Sequence, residues 1–155
     1  MIYILDSNVL ITLFKNFYRS VFPSLWQKFD AYVIAGQIIS VREVLNEIEV
    51  RDDQLSKWAK QNRKIFSQPS PEELVFITEI FKVPNFQNLV RAEERLKGKP
   101  VADPFVISKA KIIKGCVVSD EKIKPNAAKI PNICEHFGVE HLNLEAFMKT
   151  ENWTF

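Results

Sequence analysis

Glycine, cysteine and histidine are all scarce in this sequence of 155 residues, which has four, two and two of them. With so little glycine there is no G-x-G-x-x-G pattern and no Walker A loop, which argues against both familiar nucleotide-cradling designs. Cys116 and Cys134 stand in apolar surroundings without C-x-x-C spacing. They read as reduced packing residues, and with only two histidines beside them a structural zinc site is a poor fit. A strong charge bias is also missing. The formal net charge of +2 does not announce a nucleic-acid binder, but it leaves room for a basic rim around an acidic centre. No apolar run approaches the roughly 20 residues that span a bilayer. The apolar start meets Asp6 without a basic leader, so the expectation is a cytoplasmic chain with no membrane contact. What is present is ordinary for a globular protein: 46% hydrophobic residues, 26% charged, and 12 phenylalanines. The length suits one domain over residues 1–155.

Strand and helix signals alternate along the chain. Met1–Leu5 is a short apolar run that stops at Asp6-Ser7-Asn8, and Val9, Leu10, Ile11, Leu13 and Phe14 follow at once. This predicts a buried strand, a turn, and a helix to about Tyr18. Pro23 stands near the start of a second helix to about Ala35, which Gly36 ends. Its Phe22, Trp26, Phe29 and Tyr32 recur at helical spacing, as a core or dimer surface does. Ile38-Ile39 predicts a second strand. Ser40 then caps a helix, with Glu43 completing a capping box and Glu47 four residues on, on the same face. Asp52-Asp53 opens a helix to Phe66. Ser70-Pro71-Glu72-Glu73 opens another to about Phe81. After Pro84 a further helix runs from Asn85 to Leu96, followed by the basic loop Lys97–Pro100. The mainly helical stretch 52–96 reads as an insertion within one domain.

Asp103 is expected to cap a helix with Pro104 at its first position, and Ile107, Ala110 and Ile113 on its buried face. Gly115 ends it. Cys116–Val118 is a buried strand that stops at Ser119-Asp120-Glu121. Ile130–Phe137 is a helix, Val139–Leu142 a last strand, and Leu144–Met148 a closing helix. The alternation argues an α/β fold, a parallel β-sheet flanked by α-helices on both faces.

Acids recur at equivalent places, at strand ends or on helices that leave strands: Asp6, Glu43 or Glu47, Asp103, and Asp120 or Glu121. Each taken alone reads as a helix cap or surface acid. In a parallel sheet, however, the carboxyl ends of the strands lie together, and that is where ligands bind. Carboxylates gathered there raise one another's pKa, and a hard cation such as Mg2+ or Mn2+ relieves the repulsion.

These segments together resemble the PIN-domain nucleases, the family that includes VapC toxins. The family's D-[ST]-N after the first strand is matched by Asp6-Ser7-Asn8, its Glu-apolar pair by Glu47-Ile48, and its A-D-x-x-[IL]-x-x-A segment by Ala102–Ala110. In the last of these, Val106 stands at the usual Ile/Leu place. Its late V-[TS]-x-[DE] is matched by Val118-Ser119-Asp120-Glu121, and the order holds over nearly the whole chain. Ile130–Cys134 is similar to a poorly characterised PIN-like subgroup.

The resemblance implies a PIN-like, Rossmann-like three-layer fold and a metal-dependent endoribonuclease. It carries catalytic and metal-binding roles to Asp6, Glu47, Asp103 and Glu121, with Asp120 as the alternative fourth acid. Ser119, Asn8 and Glu43 take supporting places, Ser119 orienting the fourth acid or a bound water. Implied with these are Mg2+ or Mn2+, an RNA substrate, a cognate antitoxin protein and a homodimer. Lys15, Arg19, Arg42, Lys99 and Lys109 are candidate phosphate contacts, each of which reads more readily as an ordinary solvated charge. A PIN-like RNA- or protein-binding module with little or no catalysis is the alternative. A DNA-directed flap-type nuclease fits less well, because the chain is short for that class's extra helical arch.

Overall fold

Tyr3–Leu5, β1, is buried along its whole length, as a strand covered by helices on both faces must be. The computed structural model describes residues 1–89 and 101–155. Five parallel strands make one sheet: β1, β2 (Ile38–Val41), β3 (Phe66–Ser67), β4 (Cys116–Val118) and β5 (Glu140–Leu142), in the order β3-β2-β1-β4-β5. Tyr3 pairs with both Ile38 and Cys116, and Leu5 with Val118, so the carboxyl ends of β1 and β4 are level. Eight α-helices flank the sheet among the described residues: α1 (Ser7–Asn16), α2 (Pro23–Ile34), α3 (Arg42–Ile48), α4 (Gln54–Gln61), α5 (Pro71–Phe81), α6 (Asp103–Ile113), α7 (Ile130–Phe137) and α8 (Leu144–Thr150). This is the three-layer, Rossmann-like α/β arrangement expected. No helix among the described residues is long and apolar enough to cross a membrane.

The chain winds outward through β1, β2 and β3, then crosses back over β1 to β4 and β5. The direction of winding therefore changes between β1 and β4. A crevice opens at such a point, above the carboxyl ends of the strands. In a β-α-β unit the helix runs back against the strands, so the first turn of α6 stands at the carboxyl end. α6 lies on β1, β2 and β4 and buries Val106, Ile107 and Ala110 there. Gly115 lets β4 come close to β1, because a Cβ at this position would stand 2.6 Å from Ile4 Cδ1 and 2.8 Å from the Ile2 carbonyl oxygen.

Several sequence expectations need correction. The mainly helical stretch 52–96 also contributes a strand, because β3 pairs with β2 at the edge of the sheet. Two residues preceded by a 3-10 turn (Arg63–Ile65) are too short to show period-two alternation. α4 stops at Gln61, where the Asn62 side chain donates to the Trp58 carbonyl oxygen. Ser40 does not cap α3. It belongs to β2, and its hydroxyl donates to the Leu5 carbonyl oxygen at 2.6 Å. The aromatic stripe of α2, by contrast, is core as one of the two expected readings had it: Trp26 and Phe29 are buried, and Phe14 packs on both Trp26 and Trp58, at 4.7 and 5.3 Å. Of the helix expected from Asn85 to Leu96, the described start Pro84–Gln87 is a 3-10 turn. Its remainder from residue 90, and Lys97–Pro100, lie outside the described residues.

Candidate metal centre

Asp6 follows β1 and has the extended backbone of a helix N-cap, yet its side chain makes no capping hydrogen bond to α1. Asp103 is the first residue of α6. Ala102 takes the N-cap place there, again without a side-chain cap, so Asp103 is not the cap its sequence context suggested. The true caps behave otherwise. Asp53, Ser70 and Asn143 each accept from the amide three residues on. Capping residues spend an oxygen on the amide three residues on, whereas Asp6 does not, and its Oδ1 has no partner among the described residues.

Asp6 and Asp103 meet a third carboxylate. One oxygen each from Asp6, Asp103 and Glu121 lie within 4.8 Å of one another. Asp6 is 3% exposed, and its Oδ1 is buried with no hydrogen-bond partner among the described residues. No basic side chain among the described residues forms an ion pair with any of the three. At this spacing and an effective dielectric of about 20, each ionised pair repels by about 3 kcal/mol. Three such pairs rival the roughly 5–15 kcal/mol that keeps a domain folded. Protonation or a cation would relieve this repulsion.

The proton affinities respond accordingly. Burial is the main cause that pushes the Asp6 carboxyl up to about 7. The Ser7 amide opposes the rise, and the charges of Glu121 and Glu47 add to it. Asp103 is raised as well, first by burial and then by Asp6, Glu121 and Glu47, with Lys129 opposing.

The surrounding residues hold the cluster in place. The Ser119 hydroxyl donates to Asp6 Oδ2 at 3.4 Å and accepts from the Glu121 amide at 3.2 Å. Asn8 Nδ2 donates to Ser119 Oγ, and Asn8 Oδ1 accepts from the Asp120 amide, at 3.3 and 3.2 Å. Glu121 Oε2 accepts from the Ile130 amide at the start of α7, 2.8 Å away, which fixes how the side chain enters the site.

Of the four acids carried over, the structure brings three together and sets Glu47 beside them. Glu47 Oε2 accepts from the Ser7 hydroxyl at 2.8 Å, and Oε1 from the Ala102 amide at 3.1 Å. Glu47 thus ties the turn after Asp6 to the residue before Asp103. Asp120 is not in the group. Its Oδ1 accepts from the Leu144 amide at 2.9 Å, at the start of α8. Glu43 is not in it either: it is buried against Arg42, whose guanidinium reaches Oε1 at 2.8 Å. Sequence reasoning assigned nothing to Ser7 or to the Ile130 amide. The D-[ST]-N match contained Ser7 and was the available signal for it. No sequence signal marks a backbone amide.

The candidate phosphate contacts fare differently. Arg19 is paired with Asp30 at 2.9 Å, Arg42 with Glu43, and Lys109 with the buried Glu73 at 3.2 Å. Lys15 is exposed, and Lys99 lies outside the described residues. A surface groove runs along α1, α2 and α4, lined by Phe14, Tyr18, Ile34 and Trp58 among others. It gathers no convergent acids, since Asp30 in the same wall is tied to Arg19.

The family model described as domain of unknown function (DUF4411) matches residues 3–155. The search of curated proteins and the search of solved structures each gave no match.

Proposed function

We propose that this chain, which belongs to the DUF4411 family, is an endoribonuclease that depends on Mg2+ or Mn2+. The observation that carries the reading is the convergence of Asp6, Asp103 and Glu121 at the carboxyl end of the sheet, with Asp6 Oδ1 buried and unpartnered. The donor set fits a hard divalent ion: it consists of carboxylate oxygens only, with no sulfur or imidazole among them. A spacing within 4.8 Å can be drawn together by an ion such as Mg2+ with bonds of roughly 2.0–2.1 Å. Such an ion supplies an activated water and stabilises the leaving oxygen of a phosphodiester.

The chain's own residues do the rest. Asp6, Asp103 and Glu121 would hold the ion, and its binding would displace their excess protons to solvent. Glu47 is a positioning residue, because through Ser7 and the Ala102 amide it keeps the β1 turn and the start of α6 at one distance. Ser119 holds Asp6 Oδ2 toward the site. With a cation in place, the acidic crevice no longer repels a phosphate backbone.

The test is cleavage of a labelled single-stranded RNA by protein stripped with a chelator and then titrated with Mn2+. Wild type is expected to cleave only when the ion is restored, and Asp6→Asn to be inactive with an unchanged far-UV spectrum. Full activity in Asp6→Asn would overturn the assignment. RNA binding with no metal dependence and no cleavage would instead favour a binding module.

A further inference from the structure

The loop between β4 and α7 carries Lys122, Lys124 and Lys129 and no acid from residue 122 to 129. Both ends of the loop meet at one side chain. Glu121 precedes it, and Glu121 Oε2 accepts from the Ile130 amide that follows it, at 2.8 Å. A loop pinned at both ends in this way, with eight residues between, keeps its backbone within about 19 Å of that carboxylate even at full stretch. The fold draws it closer. Asn132, on α7, accepts from the Lys124 amide at 3.3 Å and donates to the Lys124 carbonyl oxygen. The three lysines are exposed, and none forms an ion pair among the described residues. By contrast, Arg19, Arg42 and Lys109 are held by acids of their own.

We infer that this strap is the phosphate-binding rim of the site. Lys122, Lys124 and Lys129 contact backbone phosphates of single-stranded RNA that flank the bond held at Asp6, Asp103 and Glu121. The inference rests on the nuclease reading and adds to it the element that grips the substrate. Lysines act as point charges on phosphate and carry no base-edge code, so the grip is tolerant of sequence. Because Glu121 belongs both to the strap and to the cluster, RNA held on the strap is held in register with the ion.

The experiment measures anisotropy of a short labelled single-stranded RNA at several salt concentrations, and cleavage in Mn2+. It compares wild type, the combined Lys122→Ser, Lys124→Ser and Lys129→Ser variant, and the same three positions changed to Arg. At about 0.7 per phosphate on a single strand, the serine variant should lose about 2 from the slope of log affinity against log salt. Its KM should rise at least ~10-fold with kcat held, and the arginine variant should retain the wild-type slope. A merely structural role for the loop would not move the salt slope. If the serine variant keeps wild-type slope and KM while wild type cleaves with metal, the strap inference fails and the nuclease reading stands. If wild type neither binds nor cleaves RNA, both fail.

Discussion

At the amino end of β1, Tyr3 donates its hydroxyl to Glu151, and Tyr32 donates to the other oxygen of the same carboxylate. Three residues later, at the carboxyl end, Asp6 meets Asp103 and Glu121, and its Oδ1 has no donor among the described residues. One strand thus joins a carboxylate with two donors to three carboxylates that share too few. The proton affinities diverge to match. The Tyr3 hydrogen bond, before any other cause, holds Glu151 below its usual value. Tyr3 is pushed up, first by burial and then by Glu151, and Tyr32 is pushed up by its bond to Glu151. Asp6 and Asp103 are raised. Burial of acids alone does not mark a functional site. What sets this end of β1 apart is that three carboxylates converge there with an unpartnered oxygen among them.

The largest test of the contrast is Asp6→Asn. It should cost more than the ~100-fold typical of losing an outer partner of a metal ligand, measured as metal-dependent cleavage of RNA. The metal-free protein should at the same time melt higher, since a buried repulsive charge is gone. A lower melting temperature would mean that the Asp6 carboxylate is satisfied without a cation. Next comes Ser119→Ala, which removes the donor to Asp6 Oδ2. It should weaken Mn2+ binding by about 10- to 100-fold in calorimetry.

The pH dependence of stability follows from the signs of the shifts. Asp6 and Asp103 have raised folded pKa values, so between 3.8 and about 7 the folded state binds more protons than the unfolded one. Stability of the metal-free protein should therefore fall as pH rises through that window, by up to about 1.4 kcal/mol per pH unit for each excess proton. Saturating Mn2+ should flatten this slope. Glu151 has the opposite sign. Its contribution is present above its unfolded value of 4.5 and is lost as pH falls toward its lower folded value. Chemical denaturation across pH should thus show a metal-free optimum at about pH 4, where the Glu151 gain and the Asp6 and Asp103 loss balance. An optimum near neutrality would break the comparison.

The smallest effect belongs to the other end of the strand. Glu151→Gln leaves Tyr3 and Tyr32 a weaker acceptor and should cost about 1–3 kcal/mol of stability. Metal affinity should not change. A change in Mn2+ binding in this variant would show that the two ends of β1 are coupled.

Much of this was legible in the residues. Short apolar runs that stop at Asp6 and at Ser119-Asp120-Glu121 marked the carboxyl ends of two strands, and β1 and β4 end there. Boundaries set by proline and glycine held closely, as at Pro23, Pro71 and Ile130-Pro131, because these residues act through local backbone limits. β3 was not legible, since a two-residue edge strand exists only by pairing with β2. Nor could the capping readings at Ser40 and Asp103 be judged in sequence. Local preference makes each a good cap, but Ser40 is drawn to the Leu5 carbonyl oxygen and Asp103 to the crevice.

Local chemistry therefore determined that acids would stand at the ends of strands in a parallel α/β sheet. Periodicity, turn residues and burial all act over a few neighbours along the chain. Which acids meet was a tertiary decision. Glu43 and Glu47 share one helix, yet one packs on Arg42 while the other reaches Ser7 and Ala102, 40 and 55 residues away in sequence. Asp120 and Glu121 are adjacent, yet one is held by the amide that opens α8 and the other enters the cluster, steadied by the amide that opens α7. The physical reason is that a carboxylate goes where the surrounding fold supplies a donor, and those donors are amides and hydroxyls brought in from distant parts of the chain.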